Sequence, residues 1–265
     1  MGGDVDVSFE IARCQATKPR IPNRSINGLS ASHTTDAPPS HSTDREFEWL
    51  ALIGFFGPLL WSACFIFAAS VANPGFSHIR EPVSHLADSQ ARLPWIMQIA
   101  FVGYGLFTLP VAIAARRALS GARFATVVWI LFALYALASV AAGFFRADPD
   151  MPATTFSGEM HSIISQAVAS LVVLTAISVG IATRRLREWD YYPETSIALG
   201  VCALPFVALF VLDIEPQYLG LWQRCFMGIT LVWLMLTSWS FARMTPMRRR
   251  LKQAAATGHR SRRDL

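Results

Sequence analysis

Residues 124–145 read FATVVWILFALYALASVAAGFF, a stretch that contains no charged side chain. An α-helix rises about 1.5 Å per residue, so about 20 residues cross the roughly 30 Å hydrocarbon core of a bilayer. Similar apolar stretches recur on both sides of this one, separated by short polar segments. We therefore predict an all-α integral membrane protein, a bundle of about six transmembrane helices. The predicted spans are residues 49–71, 93–115, 124–145, 161–183, 195–212 and 221–241.

The overall composition supports this class. Of the 265 residues, 53% are hydrophobic and only 15% are charged, whereas an average soluble domain has about 25% charged residues. A net charge of +5 is also compatible with a nucleic-acid partner. The arginines, however, lie in short segments beside apolar spans, which is typical of membrane topology signals. We expect the lipid bilayer as a partner and no nucleic acid, and the sequence identifies no protein partner.

The two ends of the chain differ in composition from the spans. Residues 1–47 are rich in Ser, Thr, Pro and Asp, a composition that cannot bury a core, so we predict a disordered polar tail. Residues 48–243 form the predicted transmembrane domain, and residues 244–265 form a basic tail. This tail either contacts anionic lipids, at about 1 kcal/mol per basic residue, or only fixes the orientation of the protein.

Arginines are concentrated in alternate loops, after the second and the fourth predicted span. The positive-inside rule places such loops in the cytoplasm. We therefore predict that both termini are cytoplasmic and that the protein lies in the cell (inner or plasma) membrane. The remaining loops then lie together at the outer face.

Histidines and carboxylates are concentrated in the outer loops. His161 is expected to begin the fourth span and Arg224 to lie one turn inside the sixth, where ionisable groups usually face the bundle interior and find a partner. We expect these polar residues to form one cluster that binds a ligand, an ion or a lipid headgroup. The candidates are Ser84, His85, Asp148, His161, Asp213, Gln223 and Arg224.

Part of this cluster has the side chains needed for catalysis. His85, Asp148, His161 and Asp213 could together bind a divalent metal such as zinc, or act without metal as a general acid–base pair. Ser84 could orient a water molecule or act as a nucleophile. The simpler explanations are solvated loops, helix caps and an ion pair of Arg224 with one carboxylate.

Three functions remain open at this stage, so the sequence does not decide whether the protein is an enzyme. The first is the binding function, and the second is a membrane-embedded, metal-assisted hydrolase of a lipid-type substrate. The third is a transporter, which is disfavoured because the middles of the spans carry almost no charged residues.

Four short motifs occur in a defined order along the chain. They are Ser84-His85-Leu86, Phe145-Arg146-Ala147-Asp148, Gly158-Glu159-Met160-His161 and Gly220-Leu221-Trp222-Gln223-Arg224. In this order the chain resembles the DUF998 family of multi-pass bacterial and archaeal membrane proteins over about residues 55–241. The resemblance implies a bundle of six or so helices and no established activity, and Arg146 replaces a proline usual in the family. The polar residues are also similar to those of ceramidase-like membrane hydrolases, but the sixth span lacks the histidine pair of that group.

Overall fold

The computed structural model describes residues 41–149, 153–184, 186, 189 and 191–261, with side chains from residue 48 to residue 244 in these ranges. The described residues contain helices and no strands. The six long helices are α1 (His41–Phe67), α2 (Pro94–Ala118), α3 (Ala125–Phe144), α4 (Phe156–Thr183), α5 (Tyr192–Val211) and α6 (Leu219–Ser261). Short helical turns follow α1 at Ala68–Ala72 and occur in loops at Val83–Ala87 and Pro216–Tyr218.

Each of the six helices is long and apolar enough to cross a membrane, which confirms the predicted all-α architecture and number of spans. Their outer surface carries large apolar side chains that would be exposed to water in a soluble protein. Examples about half exposed or more are Ile66, Leu106, Leu137, Leu174 and Val232. Because an apolar surface of this extent is stable only in contact with lipid or a partner, the chain is a multi-pass membrane protein.

Three boundaries differ from the sequence prediction. Helix α1 begins at His41, so residues 41–47, predicted to be disordered, are helical; the prediction for residues 1–40 lies outside the described residues. Helix α6 continues to Ser261, so most of the predicted tail 244–265 is helical. Helix α4 begins at Phe156, because the Thr155 side chain caps it by accepting a hydrogen bond from the Gly158 N–H. His161 therefore lies in the second turn of α4 rather than at its start.

The helices form a closed ring in chain order. Each helix packs against the next, and α6 also packs against α1. Short connections favour this arrangement because they place consecutive helices side by side and antiparallel. Small residues allow close contact within the ring: a Cβ on Gly105 would lie 2.6 Å from the Ala136 carbonyl oxygen, and a Cβ on Gly180 would lie 2.7 Å from that of Pro193.

The two ends of the ring differ in their loops. We call the end formed by residues 73–93, 145–149, 153–155 and 212–218 the polar end. The opposite end, with the last turn of α2 and residues 119–124, 184, 186, 189 and 191, is called the arginine-rich end. Near mid-span the ring is filled by Phe132 and Trp233, which stack with ring centroids 5.5 Å apart and are almost completely buried. The Trp233 indole N–H donates to Ser196 Oγ at 2.9 Å. We call Phe132 and Trp233 the aromatic plug.

Candidate functional site

Two cavities lie between the polar end and the aromatic plug. The outer one, here called the vestibule, has a volume of about 80 Å³, and the inner cavity has about 60 Å³, so each has room for a few water molecules. Ser84, His161, Ser165 and Phe210 line both and form the junction between them. All six helices contribute side chains to the inner cavity, which is therefore the centre of the ring.

The vestibule brings together five of the seven residues predicted from the sequence. These are Ser84, His85, Asp148, His161 and Asp213. Ser162, Ser165 and Gln166 complete its polar wall, and of the residues that the structure describes no lysine or arginine lines it. Loops that follow the first, third and fifth spans therefore do meet at one end, as the alternating direction of the helices requires.

His161 is the most unusual side chain of the site. It is 4% exposed, and its Nδ1 lies 2.8 Å from the Phe145 carbonyl oxygen and 3.1 Å from that of Ala142. Both neighbours are acceptors at the end of α3, where carbonyl groups lack helical partners. Nδ1 must therefore carry the hydrogen, which leaves Nε2 of the neutral ring as an acceptor. Nε2 is buried and has no hydrogen-bond partner among the described residues, a situation that typically costs about 1–3 kcal/mol.

Asp148 fixes the loop before α4. Its carboxylate accepts hydrogen bonds from the backbone N–H groups of Thr154 and Thr155 at 2.7 and 2.8 Å, and from the Thr155 hydroxyl at 2.7 Å. These bonds, first of all that from the Thr155 side chain, hold the pKa of the Asp148 carboxyl below its usual value. Gly158 packs directly against this carboxylate, since a Cβ there would lie 2.4 Å from Asp148 Cγ. Asp148 is thus a charged wall of the vestibule whose oxygens are already engaged.

Asp213 is the second carboxylate of the vestibule. It is exposed and adopts a left-handed backbone conformation with φ of 51°, which aspartate tolerates better than most residues. In the part of the chain that the structure describes, no group of three His, Cys, Asp or Glu side chains is placed to hold a metal ion. The candidate metal ligands His85, Asp148, His161 and Asp213 thus share a cavity, but no three of them are grouped as metal ligands in the described structure.

Gln223 and Arg224 attach loop 73–93 to α6. Gln223 Oε1 accepts from the Val83 N–H at 2.5 Å, and Arg224 Nη1 donates to the Glu81 carbonyl oxygen at 3.0 Å. Gln223 also lines the inner cavity. The ion pair of Arg224 with Asp148 or Asp213, one of the simpler explanations, is not found among the described residues. The Arg224 guanidinium lies instead over the rings of Phe65 and Phe76.

Loop 73–93 covers the polar end, and we call it the cover loop. Its turn Val83–Ala87 buries Val83, Leu86 and Ala87 almost completely. The carbonyl groups of Ile79 and Arg80 accept from the N–H groups of Leu221 and Gly220 at 3.0 and 3.2 Å. These bonds satisfy donors of the first turn of α6 that have no partner within the helix.

Several residues of the inner cavity are not among the candidates predicted from the sequence. Tyr104 and Tyr135 line it and join their hydroxyls at 2.5 Å. Ser139 and Ser165 line it as well. The two tyrosines could have been predicted as interior residues, because each is a polar side chain in the middle of an apolar span. Ser165 could have been predicted because it lies one turn after His161 on the same helix face.

Comparison with known proteins gives one family. No curated protein and no solved structure matches the chain. The model of the family described as "Protein of unknown function (DUF998)" matches residues 55–240. This range covers most of the chain, including the ring, both cavities and the seven predicted residues from Ser84 to Arg224. The chain therefore belongs to the DUF998 family of proteins of unknown function, as its motifs suggest.

Proposed function

We propose that this protein binds a small molecule in the vestibule and the inner cavity, with His161 Nε2 as the main hydrogen-bond acceptor for it. One observation carries the proposal: a buried acceptor without a partner lies at the junction of two cavities. Buried polar groups are normally paired, so an unpaired one at a cavity favours a bound partner such as water or a ligand group.

The shape of the interior supports binding rather than transport. The inner cavity extends along α6 from Gln223 to Leu231, and Trp233 of the aromatic plug follows within one turn. Trp233 stacks on Phe132 and hydrogen-bonds to Ser196. A passage through the ring would have to separate this contact, whereas a pocket open toward the polar end requires no such change.

The hydrolase alternative has less support. A nucleophilic serine needs a base within hydrogen-bond reach, and His161 Nε2 bonds to no serine. The metal-assisted form needs three protein ligands in one place, and the described residues provide no such group. The described residues therefore support the binding function better than the hydrolase.

A cavity-filling variant tests the proposal. Ser165→Phe fills the junction, and Ser170→Phe places the same side chain on the exposed side of α4. Each protein is reconstituted in phosphatidylcholine nanodiscs, and its thermal unfolding is followed with and without 1-hexanol. We expect hexanol to raise the melting temperature of the wild type and Ser170→Phe by several degrees relative to Ser165→Phe. Equal shifts in all three proteins would show that hexanol acts only through the bilayer.

We also propose that the polar end faces outward in the cell membrane and that both termini are cytoplasmic. Arg116, Arg117, Arg123 and Arg184 at the arginine-rich end support this orientation. Labelling of single cysteines in a cysteine-free background tests it: a membrane-impermeant maleimide should label Ser89→Cys in intact cells and should not label Ser120→Cys.

The helical extension of α6 after Met244 is a candidate contact for anionic lipids, since its sequence includes Arg248, Arg249 and Arg250. Replacing these three arginines by glutamine should lower the amount of phosphatidylglycerol that remains bound to the purified protein, measured by mass spectrometry. Unchanged phosphatidylglycerol would leave orientation as the role of these residues.

A further inference from the structure

The structure also indicates the chemical class of the ligand. Resting on the binding function proposed above, we infer that the ligand is a small organic ammonium, a protonated amine attached to a short apolar group. The ammonium lies at the junction beside His161, and the apolar group lies in the inner cavity. The charge of the walls, the hydrogen-bonding groups at the junction and the lining of the inner cavity each support this assignment.

Among the residues that the structure describes, the only formal charges on the walls of the two cavities are negative. Asp148 and Asp213 line the vestibule, and no described lysine or arginine lines either cavity. Arg146, on the same loop as Asp148, is exposed and lines neither cavity. Arg224 is directed to the Glu81 carbonyl and to aromatic rings. Two carboxylates without a compensating cation attract a positively charged ligand and repel an anion.

Hydrogen-bond acceptors line the junction, where the positive charge of the ligand would lie. His161 Nε2 can only accept while Nδ1 carries the hydrogen. The hydroxyls of Ser84 and Ser165 line the same place, and each has lone pairs available. A primary ammonium has three N–H donors and no acceptor, as in the lysine side chain. It therefore complements this set of groups.

Aromatic rings and apolar side chains surround the rest of the ligand. The Phe101 ring lies 6.1 Å from the His161 ring, and Phe101, Trp61 and Phe226 line the inner cavity. The interior therefore contains aromatic rings of the kind that can contact a cation. Along α4 the inner cavity runs from His161 to Val172, a length of about 16 Å. Its small volume, about 60 Å³, suits a short unbranched group.

A matched set of six-carbon probes tests the inference on the full chain in phosphatidylcholine nanodiscs. The probes are hexylamine, 1-hexanol, hexanoate and hexyltrimethylammonium, and dissociation constants are obtained from the dependence of the melting temperature on probe concentration. We expect hexylamine to bind about tenfold more tightly than hexanol, because charge-assisted hydrogen bonds are roughly twice as strong as neutral ones. Hexanoate should not bind, and hexyltrimethylammonium, which lacks N–H donors, should bind more weakly than hexylamine.

Two exposed carboxylates provide the variant and its control. Asp213→Asn removes one unit charge from the vestibule wall. It should weaken the binding of hexylamine by a small factor, about two- to threefold for a charge in water-like surroundings, and leave the binding of hexanol unchanged. Glu215→Gln should change neither affinity, because Glu215 does not line the vestibule. His161→Gln keeps a polar side chain at the junction and should weaken both probes.

The outcomes separate the inference from the proposed function. If hexanol bound as well as or better than hexylamine, the assignment of an ammonium ligand would be wrong. The same holds if Asp213→Asn left the binding of hexylamine unchanged. In both cases the proposed binding function would stand. If no probe shifts the wild type relative to Ser165→Phe, both conclusions fall. Nanodiscs with phosphatidylethanolamine identify the source of the amine. A stabilisation by this lipid that Ser165→Phe abolishes would assign the ammonium to a lipid headgroup, and its absence alongside hexylamine binding would assign it to a free amine.

Discussion

Substitution of Trp233 measures how strongly the aromatic plug holds the ring together. Trp233 is 1% exposed, stacks on Phe132, and donates a hydrogen bond to Ser196 Oγ. Trp233→Ala removes the whole ring and leaves a cavity beside Phe132, for which we expect a loss of about 3–5 kcal/mol in unfolding free energy. Trp233→Phe keeps most of the stacking and loses the N–H donor. A hydrogen bond between membrane helices contributes about 0.6 kcal/mol on average. Because phenylalanine is also smaller than tryptophan, we expect Trp233→Phe to lower the unfolding free energy by about 1–2 kcal/mol.

Denaturation by sodium dodecyl sulfate in mixed micelles, followed by helical circular dichroism, gives the two differences. Trp239→Ala is the matched control, because Trp239 lies on the same helix and is 43% exposed toward the lipid side. We expect this control to lose less than about 1 kcal/mol. If Trp233→Ala lost no more unfolding free energy than Trp239→Ala, the aromatic plug would not be a stabilising contact. It would then no longer disfavour a passage through the ring.

Three further substitutions test the polar end. Asp148→Asn should lower the melting temperature at neutral pH. Because the folded pKa of Asp148 is lowered, its contribution to stability is complete above the unfolded pKa and is lost as the pH falls through the folded pKa. The stabilities of wild type and variant should therefore begin to converge as the pH falls below about 4. Gly158→Ala places a Cβ against the Asp148 carboxylate and should cost about 1–3 kcal/mol, whereas Gly228→Ala, with no atom within 4 Å, should be neutral or stabilising in the same denaturation assay. Arg224→Lys keeps the charge but loses the planar stacking on Phe65 and Phe76, so trypsin should cleave the cover loop faster than in the wild type.

The features predicted correctly from the sequence are those set by local composition. The length of an apolar stretch depends only on neighbouring residues, so all six spans were predictable. The meeting of three loops at one end followed from the alternating direction of the spans. The start of α4 was missed because it depends on the Thr155 cap and on the Asp148 carboxylate, which engages residues six and seven positions further along the chain.

The contacts of the candidate site were less predictable, because backbone atoms provide many of them. His161 and Arg224 both bind carbonyl oxygens, and any residue can supply a carbonyl. The sequence therefore indicated that these two side chains need partners but not which ones. The inner cavity was missed for a different reason: its polar groups are uncharged tyrosines and serines, which leave the hydropathy of the spans almost unchanged.

The order of the helices around the ring determines the order in which the protein can assemble during synthesis and membrane insertion. Five of the six contacts around the ring join helices that are consecutive in the chain, so these contacts can form one after another as the spans enter the membrane. The sixth contact, between α1 and α6, waits for the end of synthesis. Trp233, Gln223 and the N–H groups that hold the cover loop all lie on α6. The two cavities are thus completed last, and a chain released before α6 is complete would be inserted in the bilayer yet lack the α6 side of both cavities.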